Sequence, residues 1–182
     1  MQVQALRIPE VKVVEPQVFG DERGFFMETW QGRNFADAGM DIDFVQDNRS
    51  RSSRGTLRGL HYQIEQPQGK LVSVVRGEVY DVAVDMRRSS PNFGNWVGLT
   101  LSEVNKLMLW VPPGFAHGFF VTSETADFEY KCSNYYAPEH ERTVAWNDPD
   151  LNIDWPLLEG EVPQVSDKDA AGKLFRNADY YA

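Results

Sequence analysis

Two of the three histidines in this 182-residue chain, His61 and His117, stand in apolar, strand-like sequence where a β core has little use for them. The stretch "GTLRGLHYQ" (Gly55 to Gln63) carries an arginine as well as His61. Ideal alternation puts Leu57, Gly59, His61 and Gln63 on one face and Arg58, Leu60 and Tyr62 on the other, so the imidazole and the guanidinium diverge. They converge if Gly59 marks a bulge; otherwise Arg58 serves a neighbouring subunit. A neutral imidazole, with a pKa of about 6.5, accepts a proton near neutrality, and a phenol, at about 10, keeps one to give back. Tyr130 in "FEYKCS" offers that phenol, and Lys70 after "QPQG" offers a cation. Each also has a structural reading: His61 and Tyr130 as hydrogen-bonded core residues, Lys70 as a solvated strand end, and Asp167 and Lys168 as charges in the first turn of a helix.

His117 lies in "VPPGFAHGFFV", where a proline and glycine turn leads into an apolar strand. Imidazoles from two strands of one barrel are a common metal-binding arrangement. The spacing Pro112, Gly114, His117 resembles the second sequence motif of the cupin superfamily. The first cupin motif would need a second histidine two residues after His61, and that place holds Gln63. Val121 stands where a metal-binding member has asparagine. With two ligands replaced, the resemblance implies the fold without a tightly held metal, and no cofactor is expected.

These residues need strands to hold them. Period-two alternation runs through "KLVSVV" (Lys70 to Val75), "EVYDVAVDM" (Glu78 to Met86), "WVGLTLS" (Trp96 to Ser102), "KLMLWVP" (Lys106 to Pro112) and "FEYKCSNYY" (Phe128 to Tyr136). Turn signals separate them at "RG", "SSPNFG" and "PPGF". Closely spaced short strands indicate a sandwich or barrel. Helical signals are confined to "GRNFADAG" (Gly32 to Gly39) and "SDKDAAGKLFRNA" (Ser166 to Ala178), where Ser166 is a capping residue with Asp169 three positions on. The expectation is one all-β domain over residues 1–182 with short flanking helices, one of them C-terminal.

An apolar content of 42% and eleven Phe exclude a disordered chain. A net charge of −9 disfavours a nucleic-acid polymer as partner, yet leaves room for a small phosphorylated ligand met by a few local cations. One cysteine, Cys132, no apolar run for a secretory signal and no bilayer-length apolar segment point to a soluble cytoplasmic protein without a membrane partner.

Along nearly its whole length the chain resembles the dTDP-4-dehydrorhamnose 3,5-epimerases of the cupin superfamily. The resemblance is carried by "FGDERGFFMETW" (Phe19 to Trp30), "FVQDNRSRSSRGTLRGLHYQ" (Phe44 to Gln63), "QGKLVSVVRGEVYDVAVDMRRSSPNFG" (Gln68 to Gly94), "VPPGFAHGF" (Val111 to Phe119), "YKCSNYYAPEHE" (Tyr130 to Glu141) and "SDKD" (Ser166 to Asp169). It implies a cupin-type jelly-roll barrel and a homodimer in which N-terminal segments exchange. It also implies an isomerase that epimerises C3 and C5 of dTDP-4-dehydro-6-deoxy-D-glucose, a step toward dTDP-L-rhamnose. Relatives of the same fold that invert one centre only are the nearest alternative, and a non-catalytic nucleotide-sugar-binding barrel is a more distant one.

By the same resemblance His61 is the general base, Asp167 the carboxylate that orients it, Tyr130 the general acid, and Lys70 the cation for the enolate oxygen. Arg23, Glu28, Gln46, Asp47, Asn48, Arg58, His117, Glu141 and Lys168 match positions that hold the nucleotide and sugar, with Arg23 and Arg58 suited to the diphosphate. The chemistry asks for these residue types in its own right. A C4 ketone acidifies the hydrogens on C3 and C5, so inversion needs a base on one face, an acid on the other and a cation for the enolate.

Overall fold

A computed structural model covers residues 1–182. The strands, in chain order, are β1 (Gln2–Ala5), β2 (Lys12–Glu15), β3 (Val18–Asp21), β4 (Gly24–Met27), β5 (Gln46–Ser53), β6 (Leu57–Gln63), β7 (Lys70–Arg76), β8 (Glu78–Asp85), β9 (Trp96–Ser102), β10 (Met108–Val111), β11 (Phe115–Val121), β12 (Thr125–Cys132) and β13 (Glu141–Thr143). Only two α-helices form, α1 (Gly32–Asp37) and α2 (Asp167–Ala170). A six-stranded sheet, β1-β2-β10-β7-β12-β5, faces a five-stranded one, β13-β6-β11-β8-β9, and β3 and β4 make a separate hairpin. No helix is long and apolar enough to cross a membrane.

Alternation decides what fills the barrel. Inward rows such as Val72 and Val74 on β7, Val79 and Ala83 on β8, and Phe115, Phe119 and Val121 on β11 build a core between the sheets. The outward rows of β8 and β11, with Val82, Val84, Ala116 and Phe120, pack beneath the C-terminal chain through Val144, Leu151 and Trp155. The alternating segments of the sequence are strands at close to the expected bounds, except that the last stops at Cys132 rather than Tyr136.

The expected C-terminal helix is cut to one turn. Ser166 caps it, its side chain accepting from the Asp169 amide, but the chain leaves the helix at Ala171. A side chain at Gly172 would come within 2.8 Å of the Ala145 amide. Lys173 then spends its backbone on β13's continuation, donating to Thr143 and accepting from Ala145. A sheet edge far away in sequence has outbid local helix propensity for these groups.

On β6, His61 is the register partner of His117 and Arg58 that of Phe119, so three steps on one strand match two on the other. The extra residue is a bulge, and it centres on Gly59. Gly59 has φ +129, and a Cβ there would lie 2.6 Å from Gly118 Cα. Below the bulge Leu57, and above it Leu60 and Tyr62, all pack in the outer core. Arg58 and His61 both turn to the barrel interior.

Gly59→Ala is therefore expected to cost about 2–5 kcal/mol of stability, from a strained φ and a backbone clash together. Urea denaturation checks this; a variant as stable as the parent would mean that the two strands can separate at this point.

Candidate active site

The open end of the barrel holds a cavity of about 380 Å³, lined by residues of β5, β6, β7, β11 and β12, by Tyr136 and Glu141, and by the start of α2. On β5 the period-two rule places Gln46, Asn48 and Ser50 at the cavity. Asp47, between them, is on the opposite face and pairs with Lys131 at 3.0 Å. The expectation that Asp47 joins Gln46 and Asn48 in one site is thus corrected, because neighbours on a strand point apart.

His61 Nε2 bonds Asp169 Oδ1. Asp167, expected in that place, is exposed on the first position of α2. Geometry explains the correction: Ser166 is the cap, and the residue three later folds back over it, whereas the one directly after points out. Asp169 is buried, 3% exposed, and its second oxygen takes a hydrogen bond of 2.9 Å from Ser166 Oγ. Burial raises its pKa, but the bonds from His61 and Ser166 outweigh burial and hold the carboxyl below its ordinary range. An imidazole that gives Nε2–H to this anion keeps Nδ1 to take a proton.

His117 Nε2 meets both oxygens of Asp81, at 2.9 and 3.0 Å, and Asp81 is wholly buried. Desolvation pushes that carboxyl up against the pull of His117 and Lys70. Asp81 is missing from the sequence-derived site, although its place as the polar residue between Val79 and Ala83 in an inward row marks it. Lys70 reaches the cavity from β7, its Nζ 5.9 Å from the centre of the Tyr130 ring. Burial lowers the Lys70 pKa and raises that of Tyr130, with Arg58 drawing the phenol back down. The two aromatic neighbours Phe119 and Phe128 stack at 4.2 Å and form the apolar wall.

At the mouth Lys168 Nζ donates to both Glu141 oxygens at 3.0 Å, and the Tyr136 hydroxyl donates to Glu141 at 3.0 Å. Arg58 Nε is steadied by Ser52 Oγ at 3.0 Å. Arg23 and Glu28 are not brought to this cavity. Arg23 sits at the tip of the β3–β4 hairpin, 86% exposed and paired with Asp21, and Glu28 accepts from Asn34.

The cupin metal positions are taken up otherwise. Gln63 gives its amide hydrogens to the carbonyls of Gln66 and Tyr135 and accepts from the Ala137 amide. Val121 is core. No three His, Cys, Asp or Glu side chains gather as a metal ion would require.

Residues 5–177 match the family model for dTDP-4-dehydrorhamnose 3,5-epimerase. The dTDP-4-dehydrorhamnose 3,5-epimerase of Pseudomonas aeruginosa is 58% identical over 182 residues, covering 100% of this chain and 99% of that one. The crystal structure of dTDP-6-deoxy-D-glucose-3,5-epimerase from Legionella pneumophila, in complex with dTDP-4-keto-L-rhamnose, superposes with a TM-score of 0.94 at 55% identity, over 98% of this chain and 94% of that one. A 3'-monoepimerase from Streptomyces bikiniensis in complex with dTDP-quinovose has a TM-score of 0.89 at 35% identity, over 95% and 87% of the two chains.

The two aspartates of "SDKD" should separate cleanly in a kinetic test. Asp169→Asn is expected to lower kcat about 100-fold or more, since it takes away the anion that orients His61 and receives its charge. Asp167→Asn, an exposed change, is expected to stay within about twofold. Steady-state rates on the keto-sugar decide it, and a large loss in the Asp167 variant with the Asp169 variant near the parent's rate would return the role to Asp167.

Proposed function

The chain belongs to the dTDP-4-dehydrorhamnose 3,5-epimerase family, and we propose that its barrel cavity runs the family's reaction with His61 as base, Asp169 as the anion behind it, Tyr130 as acid and Lys70 as the enolate's cation. The enzyme is an isomerase that inverts C3 and C5 of dTDP-4-dehydro-6-deoxy-D-glucose, giving dTDP-4-dehydro-L-rhamnose in dTDP-L-rhamnose biosynthesis. One observation carries the residue roles: a histidine backed by a carboxylate, a half-buried phenol and a desolvated amine meet in a single cavity. Each answers one demand of the chemistry. The base removes the proton acidified by the C4 ketone, the ammonium takes the charge that moves onto oxygen, and the acid returns a proton from the other face. Arg58, steadied by Ser52, supplies a planar fork for a diphosphate. In heavy water the wild type should place deuterium at both C3 and C5 of the product, read by NMR. His61→Ala should exchange neither carbon. Tyr130→Phe should keep exchange into recovered substrate while losing inversion. Wild-type exchange in the His61 variant would overturn the assignment of the base, and deuterium at one carbon in the parent would make it a one-centre epimerase.

We further propose a homodimer in which each β3–β4 hairpin completes the partner's site. The hairpin has no reason to stand alone in water: Phe25 and Phe26 are 60% and 69% exposed. Its tip presents Arg23, a diphosphate-suited residue with no part in this chain's cavity. Mixing inactive His61→Ala and Arg23→Ala chains after unfolding should restore about a quarter of the wild-type rate, because one site of each mixed dimer is then whole. No recovery, with dimers formed, would confine Arg23 to its own chain.

A further inference from the structure

Asp169 stands on a helix of one turn, too short to hold a catalytic carboxylate by itself. Its position is fixed from two directions. His61 Nε2 takes Oδ1, and Ser166 Oγ donates to Oδ2 at 2.9 Å while accepting from the Asp169 amide at 3.2 Å. The serine therefore grips both the backbone and the side chain of one residue. The backbone contact closes the first turn; the side-chain contact sets the twist of the carboxylate about its last torsion, which is broad and weakly restrained in aspartate. Water could replace the second contact in number but not in direction, since an exposed water has no fixed place from which to donate.

We infer that Ser166 is a positioning residue of this reaction, whose hydroxyl orients the Asp169 carboxylate so that one oxygen faces His61 throughout proton transfer. The inference rests on the reading of His61 as base and Asp169 as its partner. Nothing else in the cavity bonds Oδ2, so the hydroxyl is the only protein group that decides which oxygen meets the imidazole. The sequence marks the residue solely as a helix cap, and as a cap it would act on stability alone.

The two roles separate in one set of variants. Ser166→Gly keeps a residue that caps nearly as well as serine but removes the hydroxyl. It should lower kcat about 10- to 100-fold, the scale of a displaced catalytic group, with KM little changed and the melting temperature close to the parent's. Ser166→Thr, which restores a hydroxyl, should recover most of the rate. In an Asp169→Asn background Ser166→Gly should have no further effect, because a group that acts only through Asp169 has nothing left to orient. A Ser166→Gly enzyme with the parent's kcat would overturn the inference while leaving the base assignment standing. A further loss in the double variant, equal to that in the single one, would also overturn it. An Asp169→Asn enzyme at full rate would instead remove the reading on which the inference rests.

Discussion

The close approach of Gly59 and Gly118 is the constraint from which the site's layout follows. A Cβ on Gly59 would meet Gly118 Cα at 2.6 Å, and one on Gly118 would meet the Arg58 carbonyl at 2.7 Å, so both strands need a missing side chain at the same point. That contact admits one extra residue into β6 and reverses its alternation there. Leu57, Leu60 and Tyr62 can then share the outer core although 57 and 60 differ by an odd number of steps. The same reversal brings a guanidinium and an imidazole to one cavity. With strict alternation either Arg58 or His61 would face the apolar layer under the C-terminal chain, where an unpaired charge is costly.

Within the cavity the protein treats two histidine–aspartate pairs differently. His61 and His117 are register partners, yet Asp169 is held as a ready anion by two donors while Asp81 is wholly buried and pushed toward its neutral form. The first pair suits proton removal, because a charge arriving on His61 meets a fixed counter-charge. The second sits deeper, where Asp81 also offsets Lys70. Desolvation lowers the affinity of Lys70 for its proton and raises that of Tyr130, so the phenol holds its proton near neutrality, while the ammonium form of Lys70, stripped of water, is attracted strongly to an enolate oxygen. A chain of net charge −9 thus brings three of its 18 lysines and arginines, Arg58, Lys70 and Lys168, to one cavity, where a small anion is met while the acidic surface as a whole repels a polyanion.

Much of this was legible in the sequence wherever period two governed. The strands through Lys70, Asp81, His117 and Tyr130 follow their alternation, which is why those residues share an interior. Applied to "QDNRS" the same rule separates Asp47 from Gln46 and Asn48, and it was the resemblance, not the pattern, that grouped all three. The Gly59 bulge could be named only as one of two options, because its cause is a glycine on another strand. Asp169 was hidden differently. The capping rule had already picked it out, as the residue three after Ser166, but for helix stability, while Asp167 was given its chemistry. The truncation of the last helix was not legible, since Gly172 and Lys173 answer to the backbone of Thr143 and Ala145 about 30 residues earlier.

The division of the dyad between a barrel strand and a one-turn helix raises the question of how its geometry survives. The answer lies in the strand's own neighbours. Tyr62, directly after His61, donates its hydroxyl to the Asp179 carbonyl at 2.5 Å, and the Tyr181 hydroxyl donates to the carbonyl of Gln63. The Asp179 carboxylate is held by Arg142 at 2.6 Å, and Arg142 is the register partner of Tyr62 on β13. Lys173 joins the same strand through its backbone. The segment that follows Asp169 is therefore stitched to β6 and β13 within two residues of His61. A helix too short to persist alone needs no intrinsic stability under that arrangement, because the chain beyond it cannot move without breaking contacts to the strand that bears the base.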